Sequence, residues 1–385
     1  MKNYQLFTFL GIVLLLYSLI NYYIISRLLI ALPDNNQIKT AVISVYIFIG
    51  FSYIAGRFLD RVRISRFSCF LISTGSYFLA FMFYALLSVL AIDLIRLMFF
   101  IFGFNPVESF ADPAMFRFGI LVFVFLIIST LVIAGAVNVR NPRITKLNLS
   151  VNKKAGGLKK LRIATASDIH MGTLVGKKRT RKLVEMINSL DADIVLFAGD
   201  LVDEDINPVI HYDLGSELLN LKSKHGVYAI TGNHEFIGGA DAAIKYLTNH
   251  GIKILLDEVI NVNGINIAGR IDRDSPRFSG KKRKSPNELL SGIHLSQPLI
   301  LLDHQPYSLD QTEKAGVDLQ ISGHTHRGQI WPLSYITKAI FEVSMGYKQK
   351  GNTHVYVSPG YGEWGPAVRI GNRPEVVEIT LNFTA

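Results

Sequence analysis

Residues 318–329, DLQISGHTHRGQ, run from a short apolar segment through a glycine into two histidines one residue apart. Lone histidines are common in cores and on surfaces, but a close pair at the end of a predicted strand asks for a reason. By itself the pair fits chance, a surface feature, or part of a metal site whose other ligands lie elsewhere. The rest of the chain decides between them.

Outward from that stretch, the C-terminal part reads as short β-rich runs alternating with helical segments. LRIATASDIH (161–170) is a strand running into a loop, KKRTRKLVEMINSL (177–190) has helical apolar spacing, and ADIVLFAGD (192–200) is a buried strand ending in Gly-Asp. A helix-like stretch near 213–222 leads to GVYAITGNHE (226–235), then to a helix within 239–250, INIAGR (265–270), QPLILLDHQP (297–306) and a helix near 308–315. HVYVSPGYG (354–362) and PEVVEITL (374–381) add strands. Such alternation predicts an α/β architecture with helix-covered sheets.

In such folds, loops beyond the carboxyl ends of the strands gather on one rim, where ligands bind. Five strand ends here carry metal-competent side chains: Asp168 and His170, Asp200, Asn233 and His234, His304, and finally His324 and His326. The histidine pair thus reads as two corners of a larger site. Only oxygen and imidazole donors are present, which suits Mn, Fe or Zn and not Cu(I) or an iron–sulfur cluster. Seven candidate ligands, with His234 set aside, exceed the coordination of one ion. Two divalent ions sharing a carboxylate fit better, an arrangement suited to in-line attack at phosphorus by an acidified water.

The motifs Asp-x-His, Gly-Asp, Gly-Asn-His-Glu, a lone His and Gly-His-x-His occur in this order from Asp168 to His326, and the sequence resembles the calcineurin-like metallophosphoesterase family over 161–381. The closing stretch, 354–381, is similar to the family's bacterial membrane-associated branch. The resemblance implies two β-sheets packed as a sandwich flanked by helices. It implies that Asp168, His170 and His326 hold the first ion, that Asp200 bridges, and that Asn233, His304 and His324 hold the second. His234 would contact the phosphoryl group and protonate the leaving oxygen, and Glu235 would stabilise its loop. Catalysis would rest on His234 and Asp200. Arg270 and Asp272, after a strand, are candidates for substrate binding, with a solvated salt bridge as the alternative.

The chain of 385 residues is 49% hydrophobic, more than an ordinary soluble domain, and the excess lies before about residue 137. Four runs predict a helical transmembrane bundle: from Phe7, from Thr40 (the shortest), about Ser68–Ile92 and about Gly119–Val137. The first is too long for a signal-peptide core and is read as a permanent anchor. LMFFIFGF (97–104) reads as an interfacial or re-entrant piece ended by Asn105 and Pro106. Asp93 and Arg96 read as an interfacial ion pair. Domain boundaries follow as 1–140 for the bundle, 141–160 for a basic linker and 161–385 for the catalytic domain.

Arg57, Arg61, Arg63 and Arg66, and the cluster from Arg140 to Lys160, lie on the same side of four spans. Basic loops stay inside, which predicts a multi-pass protein of the inner (cytoplasmic) membrane with the catalytic domain cytoplasmic. Loss of the second span would reverse that side. The net charge of +10 accords with topology and anionic lipid, and no interleaving of aromatic and basic residues argues for nucleic acid. The lone Cys69 forms no intrachain disulfide. The run GKKRK (280–284) is a solvated loop or a contact for lipid headgroups. His211, His225, His250, His294 and His354 are read as structural.

The expected activity is hydrolysis of phosphodiester or pyrophosphate bonds in an amphiphilic, lipid- or nucleotide-linked substrate. The family's UDP-2,3-diacylglucosamine hydrolases set the precedent. The competing reading is a non-catalytic scaffold, or a sensor coupled to the spans.

Overall fold

The computed structural model describes residues 3–103 and 112–384. Among them, four helices are long and apolar enough to cross a membrane: α1 (Asn3–Ala31), α2 (Asn36–Val62), α3 (Arg66–Ile101) and α4 (Pro113–Val139). Their exposed side chains are largely Leu, Ile, Val and Phe, as expected where lipid and not water is the solvent. The second run is longer than its sequence predicts: α2 has 27 residues, as many as α4. Asn35 caps it, accepting from the backbone N–H groups of Gln37 and Ile38, so the helix begins before the apolar run does. The stretch 97–101 is not a separate interfacial piece. It is the last part of α3, because no helix breaker precedes Gly103; Phe104, Asn105 and Pro106 lie outside the described residues. Asp93 pairs more closely with Arg27 of α1, at 2.8 Å, than with Arg96, at 3.6 Å.

The chain divides into two compact units: the helices with Gly365–Val368, and Val137–Trp364 with Arg369–Ala385. The second unit contains two six-stranded sheets. The first runs β1 (Arg143–Val151), β12 (Glu375–Phe383), β2 (Lys160–Ala166), β3 (Ile194–Phe197), β4 (Val227–Ala229), β5 (Lys253–Ile254). The second runs β10 (Gly346–Lys350), β11 (Thr353–Val357), β9 (Leu319–Ser322), β8 (Leu299–Leu302), β7 (Ile265–Gly269), β6 (Glu258–Val262).

Residues 143–151, expected within a basic linker, instead form an edge strand pairing in parallel with β12, Arg143 opposite Glu375 and Val151 opposite Phe383. Their basic residues find partners there: Lys146 lies 2.9 Å from Glu378. The helix-like stretch near 213–222 is only a four-residue turn of helix, Gly215–Leu218.

Alternation within the strands explains the sandwich. In β3, Ile194 and Leu196 face the core between the sheets, with Ile163, Ile300, Leu302 and Ile321. Val195 and Phe197 face the opposite way, against Leu183, Val184 and Ile187 of the helix Lys177–Asn188. Such strands are buried on both faces, so they read as unbroken apolar runs. Strands β2 to β5 are mutually parallel, as are β7, β8, β9 and β11, so their carboxyl ends collect within each sheet.

Truncating a side chain in the inter-sheet core is expected to be costly. Leu196→Ala should destabilise the full-length protein by about 2–5 kcal/mol, whereas exposed Leu219→Ala should cost less than about 0.5 kcal/mol. Thermal unfolding in detergent compares the two, and equal midpoints would contradict the assigned core.

Candidate metal centre

Each predicted ligand sits just beyond a strand. Asp168 and His170 follow β2, Asp200 follows β3, and Asn233 and His234 open the helix Asn233–Gly238 after β4. His304 follows β8, and His324 and His326 follow β9. Asp168, His170, Asp200, His324 and His326 all have positive φ, between 44° and 70°. Non-glycine residues rarely adopt that conformation, and here it turns five donor side chains inward within tight loops.

Two motif glycines are required by close approach. A Cβ on Gly232 would lie 2.1 Å from Asp200 Oδ1, and one on Gly323 would lie 2.2 Å from Asp168 Oδ2. The carboxylates occupy the space that any side chain would need.

The seven predicted ligands converge. His170 Nε2 and His326 Nε2 are 3.1 Å apart, and His326 Nε2 is 3.4 Å from Asp168 Oδ1. On the other side, Asn233 Oδ1 lies 2.8 Å from His324 Nδ1 and 3.2 Å from His304 Nε2. Asp200 Oδ2 lies between these sets, 3.0 Å from His304 Nε2 and 4.0 Å from His170 Nε2. Three compact donor groups result, namely Asp168–His170–His326, Asp168–Asp200–His304 and His170–Asp203–His234, and they share members. This is one continuous centre.

Its supports are equally specific. His304 Nδ1 lies 2.7 Å from Ala198 O, a contact that fixes the tautomer and leaves Nε2 as a donor atom. Asp168 accepts from the His324 backbone N–H, and Asp200 Oδ1 from that of His234. Glu235 accepts the backbone N–H groups of Gly232, Asp200 and Val202, so it ties the β3 and β4 loops together as expected.

Electrostatics point the same way. Burial pushes the Asp168 carboxyl up to about 6, with the Asp200 charge adding to it. Burial likewise pushes Glu235 up to about 7. Burial holds His170 and His324 down at about 3, in the neutral form that ligates metal. Burial alone would lower His304, but the Asp200 carboxylate outweighs it and pushes His304 well above the ordinary imidazole range, and a divalent cation between these carboxylates and imidazoles would replace that proton.

Arg270 and Asp272 are both committed to buried contacts beside His304. Arg270 is buried and pairs with Asp303 at 2.7 Å, while its Nη2 donates to Lys284 O. Asp272 is buried and accepts from Gln305 Nε2 at 3.1 Å. Both brace the loop holding His304. Arg283 of the basic run also bonds Asp303, so that run is partly committed to the fold. His250 and His354 make structural bonds, to Tyr246 O and to Ser150 O.

Two residues escaped the sequence reading. Asp203 Oδ1 lies 3.3 Å from His234 Nδ1 and 3.9 Å from His170 Nδ1. Burial alone would lower the His234 pKa, but the carboxylates of Asp200 and Asp203 outweigh it and raise it to about 9. The signal was GDLVDE, where a third carboxylate follows Asp200 by three residues. Arg369, fully buried, places Nη2 3.0 Å from His326 Nδ1; nothing local in the sequence marks it.

The family described as calcineurin-like phosphoesterase matches residues 161–328, from β2 through the last histidine pair. An uncharacterized metallophosphoesterase of Helicobacter pylori is 37% identical over 229 residues, covering 58% of this chain and 60% of that one. The chain therefore spans about three-fifths of that relative's length. An uncharacterized metallophosphoesterase of Aquifex aeolicus is 30% identical over 242 residues, covering 62% of this chain and 91% of its own. A Danio rerio transmembrane protein with metallophosphoesterase domain is 29% identical over 339 residues, 81% of this chain and 76% of that one.

Metal analysis of the purified full-length protein tests the centre. The wild type should retain about two divalent ions per chain, and Asp200→Ala fewer than about one. Retention of the full complement by Asp200→Ala would show that this carboxylate does not bridge.

Proposed function

Because the chain belongs to the calcineurin-like phosphoesterase family, we propose that it is a metal-dependent hydrolase that cleaves phosphodiester or pyrophosphate bonds in an amphiphilic, lipid- or nucleotide-linked substrate at a membrane. The observation that carries this reading is the position of Asp200 between two donor sets, with His234 held beside them by Asp203.

Asp168, His170 and His326 would hold one divalent ion and Asn233, His304 and His324 a second, with Asp200 shared. Bound ions would supply Lewis acidity and an acidified water for attack at phosphorus. The protein's own residues do the rest. Asp203 sets the orientation of the His234 ring and favours its protonated form. As the bond from phosphorus to the leaving oxygen breaks, His234 gives that oxygen its proton, so the product departs as an alcohol or phosphate and not as a strong base. Trp364 packs edge-on against His234, with ring centroids 5.7 Å apart, and limits the motion of the imidazole.

We assign the catalytic unit to the cytoplasmic side of the inner membrane, on the asymmetry of Lys and Arg between the loops. The four long apolar helices support a multi-pass anchor. An amphiphilic substrate accords with that anchor.

Hydrolysis of bis-p-nitrophenyl phosphate by the full-length protein with Mn²⁺ tests the chemistry. His234→Ala should lower kcat by about 10²–10⁴ while metal content is retained. Inactivity of the wild type with every divalent ion tried would refute the proposal. For sidedness, an exposed thiol introduced as Lys222→Cys in a Cys69→Ser background should react with an impermeant maleimide in inside-out vesicles only. Labelling in right-side-out vesicles instead would reverse the orientation.

A further inference from the structure

The segment after the last ligand contains a helix turned the wrong way for a water-soluble surface. Residues 331–340, WPLSYITKAI, include the helix Ser334–Ile340. Successive residues on a helix are about 100° apart, so Tyr335, Ile336, Ala339 and Ile340 share an arc of about 140°. A surface helix normally buries such an arc and exposes its polar side. Here the arc faces outward: Tyr335 is 63% exposed, Ile336 56% and Ile340 55%, with Trp331 beside them at 50%. The half-buried side carries Leu333, Ser334 and Thr337 instead. The one charged residue of the helix, exposed Lys338, extends over the Tyr335 ring at 6.0 Å.

We propose that this helix is an interfacial membrane-docking element: Trp331, Tyr335, Ile336 and Ile340 insert at the headgroup level of an anionic bilayer, with Lys338 meeting lipid phosphates. Three observations select a bilayer as the occupant. Tryptophan, tyrosine and lysine around aliphatic side chains form the composition that partitions to a membrane interface. A cationic side chain at the rim complements anionic lipid. The unit is also covalently continuous with helices long and apolar enough to cross a membrane, so a bilayer is always available to it.

The element is tied at both ends to the metal-binding loop. Its polypeptide leaves directly from His326, and its C-terminal neighbour Phe341 is buried edge-on against His324, with centroids 6.0 Å apart. Thr325 Oγ1, between the two histidines, donates to Ser344 O at 2.6 Å. A docked helix therefore holds the ligand loop at the lipid surface, where a phosphate on an amphiphile lies. That consequence rests on the proposed function; the docking itself does not.

The chain has two tryptophans, Trp331 and Trp364, which allows a direct test in the intact protein. Full-length protein is placed in nanodiscs of phosphatidylcholine and phosphatidylglycerol with plain or brominated acyl chains. An interfacial helix sits about 5–10 Å into the headgroup boundary, so Trp331 emission in Trp364→Phe should at least about halve in brominated discs. Should that variant misfold, the difference in quenching between wild type and Trp331→Phe gives the same quantity. Trp331 emission indifferent to bromine overturns the proposal. So does shielding of Trp331 from acrylamide without bromine quenching, because a second copy or another protein would then cover the helix. Hydrolysis of bis-p-nitrophenyl phosphate by the wild type in plain discs reports separately on the hydrolase reading: a docked but inactive wild type sinks that reading alone.

Discussion

The structure depends on bringing acidic side chains together out of water. Asp168, Asp200, Asp203 and Glu235 lie within one buried cluster, and like charges in such a place repel strongly. Three things make the arrangement tolerable. Backbone N–H groups of neighbouring loops donate to the carboxylates, imidazoles intervene between them, and cations would neutralise the remainder. The stability that metal adds by binding only the folded state would be correspondingly large.

The sheets exist, in this light, as a device for delivering short loops to one place. Parallel strands end in register, and each contributes one or two donors before the chain turns away. The left-handed backbone at five donor residues costs on the order of 1–3 kcal/mol at each site. That expense falls on loops anchored by strands buried on both faces, where the surrounding structure can hold the strain. The same loops could not keep these conformations on a mobile segment.

Much of this was legible because buried parallel strands announce themselves as unbroken apolar runs, and at three of the five ends a Gly followed by a polar residue marks where the strand stops. The seven donors were found that way, and their convergence required no long-range knowledge beyond the rule that such ends share a rim. What escaped depends on partners distant in sequence. Residues 143–151 look like a charged spacer until Glu375 and Glu378 lie beside them. The buried pairing of Arg270 with Asp303, 33 positions later, is not visible from its own loop. Asp203 was missed for a different reason: its role is to orient another side chain, and spacing along one loop does not display that. The length of α3 was underestimated because the apolar pattern weakens at Asp93 and Arg96, whereas the hydrogen-bonded helix continues through them.

The pairing of β1, β12 and β2 has a bearing on biosynthesis. Strand β12, the last in the chain, lies between β1 and β2, which are the first two. The ribosome therefore releases both outer neighbours more than 200 residues before the strand that joins them. Until Glu375–Phe383 emerge, β1 has no neighbour in the first sheet and the facing edges of β1 and β2 stay open to chaperones and proteases. A prematurely terminated chain would carry every metal-binding motif and still leave its sheet unclosed, a state that cellular quality control can recognise and remove.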